Sequence, residues 1–324
     1  MMSIVFPGQG SQSPGMGKWL YDQFSVAQLT FQEASDVLKM DIQKLCFEGT
    51  DAELQLTANT QPALLTVSIA TARVLKSEMN LKPDFTAGHS IGEYASLVLA
   101  EVLSFSTAVQ AVRIRGVAMQ SAVPVGAGSM MALMGVTEDQ AYKICRWASE
   151  KSDGLIQPAN FNSPGQVVIS GSSSVMQFLK DHFAPQEVLG ENIRVKMIPL
   201  NVSAPFHCEM MKPAEKKMEE FFQNINFKNA ALPVVQNLIA EPVIEGAKLK
   251  QNLIKQVSGS VRWMQSIQKL TQLGCQNYIE CGHGQVLKGL IKKTSETATV
   301  FSTQSLEDFK LIEADLKATG HSFF

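Results

Sequence analysis

The sequence predicts an α/β fold interrupted by a smaller βαββαβ lobe, and three observations predict it. Short apolar runs at 3–6 and 84–87 stop at glycine-rich loops, as buried strands do when they enter tight turns. Strand and helix patterns alternate up to about residue 126 and again from Leu200 onward. Between these stretches, the order changes to strand, helix, two strands, helix, strand.

The elements follow in order. The run 3–6 ends at Pro7-Gly8-Gln9-Gly10. A helix is expected over 62–76, with Pro62 in its first turn and Leu65, Ile69, Ala72 and Leu75 recurring every three or four residues. The strand 84–87 runs into Gly88-His89-Ser90-Ile91-Gly92, and 93–102 reads as a helix. A further helix starts after Ser104 and carries Val109, Val112, Gly116 and Met119 on one face. The turn chemistry of Val123-Pro124-Val125-Gly126-Ala127-Gly128 opens the inserted lobe. Its expected elements are a strand at 130–134, a helix at 137–149, strands at 155–160 and 166–170, a helix at 173–182 and a strand at 193–199. This is the ferredoxin-like order, and it places a small lobe at 127–199 between the two parts of a larger lobe, 1–126 and 200–324. In the second part, 212–222 reads as a charged amphipathic helix and 276–280 as a strand ending at Cys281-Gly282-His283-Gly284. No internal repeat or low-complexity linker is present.

Composition narrows the function. The chain has 324 residues, 45% hydrophobic and 18% charged, with a formal net charge of −2, so no basic excess points to nucleic acid. No apolar run approaches the ~18–20 residues that span a bilayer. The N-terminus lacks the charged and long apolar regions of a signal peptide, which points to the cytoplasm. Cys46, Cys145, Cys208, Cys275 and Cys281 are odd in number and show no C-x-x-C spacing, so neither a disulfide scaffold nor a metal site is expected.

Gly88-His89-Ser90-Ile91-Gly92 fits G-x-S-x-G between a strand and a helix, the context in which a turn lifts a serine hydroxyl above a sheet edge. The helix N-terminus then faces the serine, and the Ile91 amide is placed to donate to an oxyanion. The plain alternative is a structural turn. A serine hydroxyl needs a base. Of the five histidines, His89 adjoins Ser90 and points away at a sharp turn, His182 falls on the small lobe's helix, and His321 lies in the C-terminal tail. His207 and His283 remain, both on loops, and the residues favour His207 only mildly; either could instead cap a helix.

Five motifs in order then resemble one family: Phe6-Pro7-Gly8-Gln9-Gly10-Ser11-Gln12, Gly88-His89-Ser90-Ile91-Gly92-Glu93-Tyr94, Arg115-Gly116, Asn160-Phe161-Asn162-Ser163-Pro164-Gly165-Gln166 and Pro205-Phe206-His207-Cys208. The chain resembles malonyl-CoA:acyl-carrier-protein transacylases and the acyltransferase domains of polyketide synthases, from about residue 4 to about residue 295. The resemblance implies a hydrolase-like lobe with a mainly parallel sheet beside the ferredoxin-like lobe. It implies that Ser90 carries the acyl ester, that His207 is base and then acid, and that the amides of Gln9 and Ile91 form the oxyanion hole. Arg115 would hold the malonyl carboxylate, and a main-chain carbonyl at Gln256 would orient His207. Malonyl-CoA and an acyl carrier protein are the implied partners, in fatty-acid or polyketide synthesis, with no metal or redox cofactor, no nucleic acid and no membrane. A monomer is expected.

The same residues can be weighed physically. A guanidinium grips a carboxylate by two parallel hydrogen bonds, but Arg113 and Arg115 flank the apolar stripe on opposite sides, and periodicity does not choose between them. Gln9 lies in a glycine-rich turn that lacks phosphate-loop spacing. Asn160 and Asn162 either line the cleft between lobes or make local turns. Ile91 and Phe206 resemble the malonyl-selective versions, where bulk would disfavour a branched acyl group by ~1–3 kcal/mol. Lys288, Lys292 and Lys293 would suit an acidic carrier, although a solvated face explains them as well. The competing readings are a serine hydrolase, which would release malonate without a carrier, and a non-enzymatic carrier-binding module, in which Ser90 would not be acylated.

Overall fold

The computed structural model describes residues 1–191 and 193–319; His321 lies outside them. Its strands are β1 (Met2–Phe6), β2 (Phe85–Gly88), β3 (Gly128–Met134), β4 (Ile156–Ser163), β5 (Gln166–Ser172), β6 (Lys196–Pro199), β7 (Val234–Gln236), β8 (Glu241–Val243), β9 (Asn277–Glu280) and β10 (Thr299–Phe301). They form two sheets.

The larger sheet has six strands in the order β10-β9-β1-β2-β7-β8. All of its pairs are parallel except β7 with β8. Side chains alternate across a strand, and both faces here are covered. Met2, Ile4 and Phe6 of β1 enter one core, with the helices Thr57–Met79 and Phe105–Ser121, while Val5 joins a second core with Trp263, Ile267 and Leu287. The pairings Phe6↔Gly88 and Ala87↔Val235 align the carboxyl ends of β1, β2 and β7. That edge of an open α/β sheet is where loops converge on a ligand.

The smaller sheet runs β4-β5-β3-β6. Both β3 and β4 pair antiparallel with β5, so they are parallel to each other with β5 between them. This is the ferredoxin-like arrangement. Its strands also divide their side chains between two cores. Met131, Leu133, Val167 and Ile169 pack with the sheet's own helices, whereas Met130, Ala132 and Val168 pack into the large core. The small sheet is joined to the larger lobe at β4, where the Phe161 amide donates to the Val261 carbonyl at 2.9 Å and the Val261 amide to the Ala159 carbonyl at 2.8 Å.

Two sequence expectations are corrected. The helix expected over 62–76 spans Thr57–Met79, with Pro62 inside it. Proline has no N–H, so the Ala58 carbonyl loses its intrahelical donor. Arg113 Nη1 supplies one at 2.6 Å and also reaches Asn59 Oδ1 at 2.9 Å, so the helix passes through the proline. The strand expected over 193–199 begins at Lys196, because its partner β3 ends at Met134, which pairs with Lys196. A short helix, Pro185–Leu189, precedes it.

Candidate active site

Ser90 sits between β2 and the helix Gly92–Leu99 with φ 52°, a left-handed conformation that costs a non-glycine residue strain. The turn is feasible because its flanks lack side chains. A Cβ on Gly88 would lie 2.0 Å from the Gly92 carbonyl, and one on Gly92 would lie 2.2 Å from the Phe6 oxygen. Asn237, just beyond β7, holds the turn from the neighbouring strand. Its Oδ1 accepts the Ser90 amide at 2.6 Å, and its Nδ2 donates to the Gly88 carbonyl at 2.6 Å.

The structure brings His207, not His283, to Ser90. His207 Nε2 lies 2.7 Å from Ser90 Oγ, while Nδ1 faces the Gln256 carbonyl at 2.9 Å and the Gly259 carbonyl at 3.2 Å. Carbonyl oxygens only accept, so Nδ1 carries the proton and Nε2 offers its lone pair to the serine hydroxyl. Burial, and then the nearby Arg115 charge, pull the imidazole down to about 3, which keeps it neutral. His283 is engaged elsewhere, with its Nε2 2.7 Å from Ser13 Oγ. The His89 ring turns away from Ser90 to Asn162 Oδ1, at 2.9 Å.

Arg115 and Arg113 separate cleanly. Arg113 repairs the helix around Pro62, whereas Arg115 is 2% exposed and faces the serine. Its Nη2 donates to Ser90 Oγ and to Gln256 Oε1, each at 3.0 Å, and Nη1 donates to Gln61 Oε1 at 2.9 Å. Its Nε has no partner among the described residues. Burial lowers its proton affinity from the usual arginine value.

A cavity of about 150 Å³ lies over these groups. Gln9, Gln61, Ser90, Ile91, Arg115 and Met119 line it from the large lobe, and Met130, Asn160, Asn162 and Val168 line it from the small sheet. Leu200, Val202, Phe206 and His207 close it from the segment that returns between lobes. Among the described residues, the amides of Gln9 and Ile91 make no hydrogen bond. The Gln9 side chain is tied to Thr57, whose Oγ1 donates to Gln9 Oε1 at 2.5 Å. Lys288 and Lys293 lie on the helix Val286–Thr294, and Lys292 of that helix donates to the Ala298 carbonyl.

Sequence reasoning missed Gln61, Asn237 and the contacts of Glu93, whose Oε2 accepts the Asn237 backbone N–H and Gln256 Nε2. Amide side chains scattered along a chain carry no periodic signal, and only the packing of strands and helices brings these three together. Glu93 alone had a cue, an acidic residue in the first turn of the helix that follows the serine.

Residues 4–312 match the family model described as acyl transferase domain. The chain is 43% identical over 316 residues to the malonyl CoA-acyl carrier protein transacylase of Bacillus subtilis (strain 168), covering 98% of this chain and 97% of that one. The crystal structure of an acyl-carrier-protein S-malonyltransferase from Burkholderia pseudomallei 1710b superposes with a TM-score of 0.90 at 37% identity, covering 97% of this chain and 99% of that chain. A malonyl-transacylase in complex with its type II PKS acyl-carrier protein also gives a TM-score of 0.90, at 36% identity and with the same coverage. With residues 4–312 matched by the family model and nearly its whole length matched by these relatives, the chain belongs to the acyl transferase domain family.

Proposed function

We propose that the chain moves a malonyl group from malonyl-CoA to the phosphopantetheine thiol of an acyl carrier protein through an ester on Ser90. The observation that carries this reading is the buried Arg115 guanidinium 3.0 Å from the same Ser90 oxygen that lies 2.7 Å from His207 Nε2. A nucleophile and base alone fit any acyl transfer; a guanidinium in the acyl cavity selects a substrate that carries a second, charged carboxylate. The relatives' names point to the same donor and acceptor.

In this mechanism, His207 Nε2 takes the Ser90 proton as Oγ bonds to the thioester carbon. The oxyanion that forms accepts hydrogen bonds from the Gln9 and Ile91 amides. The carbon–sulfur bond breaks, His207 returns the proton to the departing CoA thiolate, and the malonyl ester remains on Ser90. The carrier's thiol then enters and the steps run in reverse. Arg115 holds the malonyl carboxylate throughout, and its charge, once balanced by that carboxylate, depresses His207 less, so the base strengthens as substrate binds. No metal or redox cofactor takes part: malonyl-CoA is substrate, and the carrier brings its own phosphopantetheine. The buried, unpaired cysteines suit a reducing compartment such as the cytoplasm.

The serine-hydrolase reading has less support, since His207 is oriented by main-chain carbonyls and not by a carboxylate. Intact-mass measurement separates the two. Mixing with malonyl-CoA should add one malonyl group to the protein, lost in Ser90→Ala, and carrier protein should then remove it and gain the same mass. Release of free malonate at the same rate without carrier would overturn the proposal.

A further inference from the structure

Glu93 has no solvent exposure, and burial pushes its carboxyl up to about 7. Three donors converge on it. Glu93 Oε2 accepts the Asn237 amide at 2.7 Å and Gln256 Nε2 at 3.1 Å, and Oε1 accepts Gln236 Nε2 at 3.1 Å. Two of these donors are fixed by other bonds. Gln236 also donates to the Leu249 carbonyl and accepts from Asn252 Nδ2, and Asn237 is held by the serine turn.

Gln256 differs, because it lies between Glu93 and Arg115. Its Nε2 donates to Glu93 and to the Ser90 carbonyl at 3.1 Å, and its Oε1 accepts from Arg115 Nη2. Three N–H donors facing the Glu93 oxygens fit its ionised form, which only accepts, whereas a guanidinium only donates. The Gln256 amide has one end of each kind, so only the observed orientation satisfies both neighbours. Turned over, it would set oxygen against oxygen at Glu93 and Ser90, and N–H against N–H at Arg115.

We propose that Glu93 is a positioning residue for the acyl carboxylate: it holds the Gln256 amide so that an acceptor faces Arg115 and fixes the guanidinium fork. This rests on the reading of Arg115 given above. Glu93→Gln keeps the shape but leaves one acceptor oxygen for three donors, which weakens the hold on the Gln256 amide.

The test compares Glu93→Gln with the unaltered enzyme in three measurements: transfer kinetics with malonyl-CoA and acetyl-CoA, inhibition by free malonate, and the rate at which a small neutral sulfonyl fluoride labels Ser90. The expected result is a rise of about tenfold or more in KM for malonyl-CoA, a parallel weakening of malonate inhibition, and labelling within about threefold of the original. Equal losses with malonyl, acetyl and the neutral reagent would overturn the proposal, since Glu93 would then be general scaffold. Unchanged kinetics, or tighter malonate binding, would overturn it too; the latter would mean that Glu93 acts through its charge alone. If Glu93→Gln does not fold, Glu93→Asp takes the same test, with a smaller malonyl-selective loss expected and an equal loss refuting. Arg115→Ala run alongside separates the two ideas: an unaltered malonyl-to-acetyl ratio in that variant defeats the carboxylate reading itself.

Discussion

Replacing Arg115 with alanine should cost malonyl transfer far more than acetyl transfer. Arg115 is buried and makes three hydrogen bonds from a charged group, to Gln61, Ser90 and Gln256. Truncating one partner of a buried, hydrogen-bonded charge pair costs about 2–5 kcal/mol. On the function proposed above, the orphaned partner in the acyl complex is the malonyl carboxylate, in a cavity of about 150 Å³. At 1.4 kcal/mol per factor of ten, kcat/KM for malonyl-CoA should fall by roughly 30-fold to 3,000-fold. Acetyl-CoA has no carboxylate to strand and should change by less than about tenfold. The assay is transfer to carrier protein from each donor, with Arg113→Ala as the comparison. Arg113 donates to the Ala58 carbonyl that Pro62 leaves without a helical partner. Its loss should lower stability by about 1–3 kcal/mol, read as a drop in Tm, and leave the malonyl-to-acetyl ratio alone. Equal losses for both donors in Arg115→Ala, or a changed ratio in Arg113→Ala, would refute the division of labour.

Three further predictions follow from the same geometry. As the proposed base, His207 must be neutral to act, and burial and Arg115 hold it down to about 3, so acetyl transfer should persist as pH falls well below the ordinary histidine value of about 6.5. With Arg115→Ala the acid limb should move upward, because a neighbouring positive charge is gone; kcat/KM for acetyl-CoA against pH checks both. Asn237→Ala removes the side chain that holds the Ser90 amide and the Gly88 carbonyl, and should lower kcat about tenfold to a hundredfold with KM little changed. Glu280 closes the start of the helix Val286–Thr294 from the end of β9, accepting the Leu287 amide at 2.9 Å and the Lys288 amide at 2.7 Å. Glu280→Gln puts a donor against one of these amides and should lower stability by about 1–3 kcal/mol, measured by denaturant unfolding.

The architecture was legible where it has a period. The strands of the small lobe alternate, and its helices carry clear apolar faces, so their order could be written down from the residues, with ends displaced by a few positions. Pro62 misled because a proline in a helical pattern ordinarily marks a first turn, and the side chain that overrides the rule, Arg113, lies 51 positions downstream. The same limit governed the site. Ser90 announces itself through local glycines, but His207 and His283 look alike until the fold sends one to the serine and the other to Ser13. Arg113 and Arg115 are two positions apart on one helix and face different neighbours. Asn237 and Gln61 are invisible beforehand because an amide's importance lies wholly in what stands opposite it.

The small sheet, finally, keeps two ledgers of side chains. On β3 and β5, Met131, Leu133, Val167 and Ile169 hold the lobe together, whereas Met130 and Val168 line the cavity at Ser90. Neighbouring positions on one strand thus answer to different physical demands. A smaller or larger side chain at Met130 or Val168 should reshape the cavity, while Met131, Leu133, Val167 and Ile169 go on packing the lobe. Because Met130 and Val168 also belong to the large core, a change at either one alters the cavity and the packing between the two sheets together.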